Sequence, residues 1–142
     1  MIAAIILSAD CRQTRDEEND LRRIRQKMRE AVDVLSEENF GLVEFGVPEP
    51  WENENVAWII SRGREAIPFL VEALESGNPV KVGYAAYCLE LMRANQGEEA
   101  ALKKLKILQA IKGADDYRLS FAVNCLRDYL RSIADGRDHG DR

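Results

Sequence analysis

The feature that most constrains this chain is a segment that occurs twice in its C-terminal half. Residues 80–89 align with residues 117–126, an offset of 37 positions, and residues 63–66 align with 97–100 at an offset of 34. The matching pairs in the longer alignment include Lys81 with Arg118, Tyr84 with Phe121, Ala85 with Ala122, Cys88 with Cys125 and Leu89 with Leu126. A repeat of this length indicates one supersecondary unit used twice, because a single unit cannot cover its own apolar face and must stack on a neighbour.

Hydrophobic periodicity predicts that the repeated units are helical. Apolar residues recur at three- and four-residue steps, and glycine and proline separate the periodic stretches. Six helices and no strands are expected, at about 16–38, 55–62, 64–75, 79–94, 98–111 and from 115 or 116 to 133. Thr14 or Asp16 is a suitable N-cap for the first helix, and Asn78 caps the fourth, with Pro79 at its first helical position.

The string AIPFL at 66–70, followed by NPVKVGYAAYCL at 78–89, resembles a HEAT-like repeat. In that family an A-I-P-x-L first helix leads through an Asp or Asn turn into a V-R-x-x-A-A-x-x-L second helix. The resemblance is good over 64–93, fair over 97–133 and absent over the first 54 residues. It departs from the family pattern at Lys81, where the family usually has Arg.

The resemblance implies an all-α fold, a short α-solenoid of HEAT-like helix pairs with an N-terminal helical cap. Residues 1–54 then form an N-terminal segment, a long capping helix and an acidic, Pro-containing loop. Residues 55–133 form the repeats, and 134–142 form a polar, disordered tail. The family's polar ladder would pair Asn78 with Lys81, and Asp115 or Asp116 with Arg118.

The charge distribution bears on the class of partner. The formal net charge is −5, and residues 30–61 contain eight carboxylates without a single Lys or Arg. A nucleic-acid binder needs clustered cations to neutralise phosphates, so we expect no nucleic-acid partner. A protein or peptide partner, and a basic one in particular, suits this balance.

The N-terminus allows two interpretations. Residues 1–9 are apolar and precede Cys11, an arrangement similar to a short signal segment or a lipoprotein processing site, but no Lys or Arg precedes the run. We expect a short segment that docks on the first helix of a cytoplasmic protein. The alternative, if residues 1–11 are a signal remnant, is an exported or lipid-anchored protein. No segment reaches the roughly 20 apolar residues that span a bilayer.

Residues that carry chemistry are scarce. The one histidine, His139, lies in the polar C-terminal stretch, and the three cysteines show no CxxC spacing. Nucleophile–histidine arrangements and zinc sites therefore find no support, and we expect no enzymatic activity, metal or cofactor. Cys88 and Cys125 are expected to be reduced, buried and to behave as small hydrophobic residues.

These inferences favour a non-enzymatic protein-binding module that uses the concave or loop face of a short helical stack. The alternatives are a small acidic inhibitor or immunity-type protein that covers a basic active site, and an accessory subunit of a lyase-like enzyme. The array should end at the last helix, where Asn124 and Asp128 replace the Tyr87 and Leu91 of the inner repeat. The candidate contact residues are Trp51, Lys81, Tyr84, Tyr87 and Arg118. Trp51 could instead fill the groove between the first helix and the repeats, and Tyr84 and Tyr87 could belong to the core.

Overall fold

In the computed structural model, the regular secondary structure of the described residues is entirely helical. The model describes residues 2–35, 54–111 and 116–140, with side chains described over 14–35, 54–111 and 116–137. The six α-helices of this part are α1 (Ile2–Val34), α2 (Glu54–Ser61), α3 (Ile67–Ala73), α4 (Pro79–Leu91), α5 (Glu98–Gln109) and α6 (Tyr117–Gly140). A 3₁₀ helix, Gly63–Ala66, lies between α2 and α3, and the described residues contain no strand. The expected all-helical class is therefore confirmed.

The first helix is longer at its N-terminus than the sequence analysis predicts. It starts at Ile2, so residues 2–9 are continuous with α1 and do not form a separate docked segment. Thr14 and Asp16 lie inside the helix and are not its N-cap. The physical reason is that cap-forming residues also occur within helices when good helix formers surround them, as Gln, Arg and Glu do here.

Within residues 14–35, whose side chains are described, only the C-terminal part of α1 enters the core. Met28, Ala31, Val32 and Leu35 are buried, whereas residues 14–23 are all exposed. The apolar residues are spaced three and four apart, and this spacing directs them to the same side of the helix, where α2, α3 and α4 pack. The buried part of α1 therefore covers one flank of the helices that follow.

The start of α4 is fixed by a side-chain cap. Asn78 has an extended backbone, and its Oδ1 accepts hydrogen bonds from the backbone N–H groups of Val80 at 3.0 Å and Lys81 at 3.3 Å. Pro79 occupies the first turn, where a missing N–H costs nothing. The predicted cap and start of this helix are confirmed.

The two aligned segments lie in contact, because α4 packs more extensively against α6 than any other two elements pack together. Ala85, Ala86 and Ala122 are fully buried, and their small side chains permit a close helix approach. Tyr84 and Phe121, which align in the repeat, meet edge to face with ring centroids 5.3 Å apart.

A buried tyrosine hydroxyl of α6 holds the turn between α4 and α5. Tyr129 of α6 donates a hydrogen bond to the Ala94 carbonyl and accepts one from the Gly97 backbone N–H at 3.2 Å. These bonds fix the turn between α4 and α5 against α6. On α5 itself only Ala101 is buried, whereas Leu102 and Ile107 are almost half exposed.

The C-terminal helix also exceeds its expected length. α6 continues to Gly140, so the prediction of a disordered tail from residue 134 is wrong for residues 134–140. One cause is visible at Arg137, whose guanidinium pairs with the Glu98 carboxylate at the start of α5. Asn124 and Asp128, which were expected to mark the end of the array, are exposed.

Candidate binding groove

A groove lies between the C-terminal part of α4 and α6. We call it the α4–α6 groove; its volume is about 850 Å³. Its lining includes Leu89, Ala94, Tyr129 and Ile133 as apolar contributors. Leu89, Ala94 and Tyr129 are buried core residues that lie beneath the groove, and Ile133 is the partly exposed apolar residue of its lining. The remaining lining is polar or charged and includes Glu90, Arg93, Asn95, Asp128, Arg131, Ser132, Asp135 and Arg137.

Two carboxylates face each other across this groove. Glu90 is on α4 and Asp128 is on α6, and among the described residues neither forms an ion pair or a side-chain hydrogen bond. Partial burial raises the pKa of Glu90, and the negative charge of Asp128 raises it further. The groove therefore holds like charges on its two walls, together with the positive charges of Arg93, Arg131 and Arg137.

Arginines occupy the rim of the same groove, and one of them has an unusual backbone. Arg93 follows α4 with φ of 53°, the left-handed conformation that favours glycine, and it is the only non-glycine residue of the described chain with positive φ. A non-glycine residue in this region costs about 1 kcal/mol. Strain of this kind is often found at functional sites, and Arg93 directs a long cationic side chain to the groove.

Lys81, one of the predicted contact residues, forms an ion pair within the fold. Its Nζ lies 2.9 Å from Asp33 Oδ1, so the side chain joins α4 to α1. The expected ladder contact between Asn78 and the Lys81 ammonium is wrong, because Asn78 accepts from the backbone N–H of Lys81. The cause is that α1 places a carboxylate within reach of the ammonium, which the repeat alignment cannot show.

Of the two tyrosines predicted as contact residues, Tyr84 is buried and Tyr87 is partly exposed. Tyr84 is 2% exposed and packs on Phe121, so it belongs to the core and is not a surface contact. Burial raises its pKa, with smaller contributions from Cys125 and Cys88. Tyr87 is half-buried and keeps part of its surface available to a partner.

Arg118 lies at the start of α6, away from the groove lining. Its guanidinium carbon is 5.9 Å from the Tyr117 ring centroid, and its backbone N–H donates to Asp116 Oδ1 at 2.9 Å. Asp116 therefore caps α6. It is one of the two positions at which the sequence analysis expects this helix to start. Trp51 lies outside the described residues, as does most of the acidic stretch 30–54 on which the inhibitor alternative depends.

A second depression lies between α1, α3 and α4, with a volume of about 590 Å³. Three of its charged side chains have contacts within the fold: Lys81 pairs with Asp33, and the Arg29 guanidinium is 6.0 Å from the Phe69 ring centroid. A ligand there would have to break these contacts. In the α4–α6 groove Arg137 is paired as well, but Glu90 and Asp128 form no ion pair with another described residue.

Sequence reasoning did not identify Glu90 or Arg93 as groove residues. It placed Asp128 at the end of the array, where the side chain is exposed as expected, but it did not identify the facing wall. Neither Glu90 nor Arg93 belongs to the repeat pattern, so no local signal connected them with α6. Sequence reasoning also did not identify the cation–π contacts of Trp58. Lys27 Nζ and the Arg62 guanidinium lie 4.8 Å and 5.1 Å from its ring centroid.

Of the two cysteines expected to be buried, Cys88 is buried and Cys125 is only partly so. Both are free thiols. Burial raises the pKa of each thiol to about 12, and for Cys125 the charges of Asp128 and Glu90 contribute as well. They are therefore protonated at neutral pH and poor nucleophiles. Within the described ranges, no set of three or more His, Cys, Asp or Glu side chains is arranged to hold a metal ion.

Two further findings concern membrane-spanning helices and similarity to known proteins. No helix in the described part combines the length and apolar character needed to cross a membrane. A comparison with known proteins gives no match to a family model, to a curated protein or to a solved structure, so function has to be argued from the geometry above.

Proposed function

We propose that this protein is a non-enzymatic binding module that holds a segment of a partner protein in the α4–α6 groove. The observation that carries the proposal is the groove itself: it lies over buried core residues, and its charged walls make no ion pairs across it among the described residues. Recognition sites commonly combine an apolar floor with a few polar groups that set orientation.

The helical arrangement supports this function. In a HEAT-like stack the second helices of neighbouring repeats line the binding face, and α4 and α6 would be those helices here. Their extensive contact is compatible with such a short stack. The exposed Leu91, 49% accessible at the end of α4, adds apolar surface near the groove.

The experiment that tests the proposal is site-directed photo-crosslinking in the organism that makes the protein. Benzoylphenylalanine replaces Asn95, an exposed residue of the groove, or Glu65, an exposed residue of the 3₁₀ helix between α2 and α3. We expect position 95 to capture a defined partner and position 65 to capture none. Equal capture at both positions, or none at position 95, would show that the groove is not the binding site.

Charge reversal then tests the groove without a crosslinker. Asp128→Lys should reduce the recovery of that partner by roughly tenfold, because it reverses a charge at the interface. Glu99→Lys makes the same change at an exposed carboxylate outside the groove and should leave recovery unchanged. Arg93→Gly should weaken binding without loss of thermal stability, since it removes the side chain and relieves the left-handed strain together.

A further inference from the structure

We infer that Lys27 and Arg62, the two cations held on the Trp58 ring, form a binding site for a phosphate group. The site goes beyond the proposed function, because it lies where α1 meets the end of α2 and none of these three residues lines the α4–α6 groove. Three observations support it: two like charges held close together, the lack of a carboxylate that pairs with them, and an unsatisfied N–H group of Arg62.

Two positive charges are held close together on one aromatic side chain. Lys27 Nζ lies 4.8 Å and the Arg62 guanidinium carbon 5.1 Å from the Trp58 ring centroid, so the two charges are at most about 10 Å apart. The ring attracts each cation but carries no net charge, so the two positive charges are not neutralised by it. A ligand with two negative charges would replace their repulsion with attraction.

No carboxylate of the described residues neutralises this pair of cations. Neither Lys27 nor Arg62 forms an ion pair with another described residue. The nearest acidic residue along α1, Glu30, accepts a hydrogen bond from Gln26 at 3.1 Å. The positive charge at Trp58 is therefore not balanced by this part of the chain.

Arg62 also has a hydrogen-bond donor without an acceptor. Its Nε is shielded from solvent and makes no hydrogen bond to any described residue. A shielded N–H group without an acceptor is costly, and an anion that binds side-on accepts from Nε and one Nη together. Side-on binding requires the guanidinium to tilt on the Trp58 ring, and the partial exposure of Arg62 leaves room for this movement.

Phosphate suits this pair of cations better than a carboxylate does. A planar guanidinium binds two phosphate oxygens at once, and an ammonium supplies a point charge for a third. The indole of tryptophan is a hydrogen-bond donor only, so the contacts with Trp58 leave the N–H groups of both cations for the ligand. A phosphate monoester carries about 1.5 to 2 negative charges at pH 7, whereas a carboxylate carries one.

A phosphate titration of the full-length protein, followed by ¹H–¹⁵N NMR, tests the inference. The indole N–H signal of Trp58 reports on the site, and Trp51→Phe, which leaves Trp58 as the one tryptophan, assigns that signal. At pH 7.5 we expect inorganic phosphate to shift the signal until it saturates, with a dissociation constant of about 1–10 mM. Potassium chloride at matched ionic strength should shift it little. Equal shifts with the two salts would overturn the inference.

Variants identify Arg62 as the residue that binds the anion. Arg62→Gln removes the charge and should weaken phosphate binding about tenfold, whereas Arg62→Lys keeps the charge, loses the planar fork and should weaken it about threefold. Arg64→Gln makes the same change as the first variant at an exposed arginine two residues away and should leave the affinity unaltered. Unchanged amide spectra away from the site are checked first, and Arg62→Lys keeps the comparison possible if Arg62→Gln does not fold. Unaltered affinity in the Arg62 variants contradicts the inference.

Methyl phosphate, titrated in the same way, separates two sources of this chemistry. If it shifts the Trp58 indole signal as inorganic phosphate does, the site takes the terminal phosphate group of a larger molecule. If inorganic phosphate alone shifts the signal, the site takes the free ion. If neither compound does so beyond the effect of chloride, the site does not bind phosphate and the inference is wrong.

Discussion

Gly83 is a position where the absence of a side chain decides how two helices meet. A Cβ at this position would lie 2.6 Å from Phe121 Cδ1, well inside van der Waals contact. The Phe121 ring is held from the other side by Tyr84. Gly83 therefore permits the close contact of α4 with α6, the two helices between which the groove lies.

We expect Gly83→Ala to destabilise the protein by about 1–2 kcal/mol, although alanine is the better helix former. The reason is that the ring of Phe121 has to move out of a packed position. Chemical unfolding measures the change. Gly77→Ala is the control, because a Cβ there meets nothing within 4 Å, and it should alter stability by less than about 0.5 kcal/mol.

Coupling with Phe121 separates the clash from other causes. In the Phe121→Leu background the smaller side chain leaves room, so the added methyl group should cost less than it does in the unchanged protein. If Gly83→Ala instead raised stability by the amount expected for an exposed helix position, the close contact would not exist in solution.

At the scale of an element, α4 depends on its cap. Asn78 satisfies two backbone N–H groups that have no partner within the helix. We expect Asn78→Ala to lower the free energy of unfolding by about 1 kcal/mol and the melting temperature by about 3 °C. Asn95→Ala makes the same change at an exposed residue with no side-chain hydrogen bond in the described part, and should have little effect. Equal losses in the two variants would show that the cap contributes nothing.

How far sequence predicts an element depends on whether its signals are local. Asn78 and Pro79 mark the start of α4 because capping uses neighbouring residues only, and the predicted start is confirmed. The start of α1 was wrong by more than ten residues, because Thr14 and Asp16 are equally compatible with a helix interior. The end of α6 was wrong because its partner Glu98 lies on α5, far away along the chain.

The same distinction applies to the groove. The burial of Ala85 and Ala122 follows from the repeat, whereas the juxtaposition of Glu90 and Asp128 requires the packing of α4 on α6. Lys81 shows the opposite case. The alignment marked it as a candidate contact residue, and only the fold shows that Asp33 of α1 pairs with it.

At the scale of the whole molecule, two free thiols report on global stability. Cys88 and Cys125 lie on α4 and α6, and burial raises the pKa of each to about 12 from an ordinary value near 9. Between these values the unfolded chain loses protons that the folded chain keeps. Stability contributed by the neutral thiols is therefore fully present below about pH 8 and is lost progressively as the pH rises above 9.

We expect the free energy of unfolding to fall by about 1–2 kcal/mol between pH 7.5 and pH 9.5 through these two groups. Urea unfolding at the two pH values measures the loss, in a Cys11→Ser background so that only these two cysteines remain. The matched control adds Cys88→Ala and Cys125→Ala, which removes both titrating groups. This control should be less stable at both pH values, because it leaves small cavities, but its stability should depend less on pH. The same pH dependence with and without the thiols would mean that their environment is open to water, and the α4–α6 interface would then not be the packed centre of the fold.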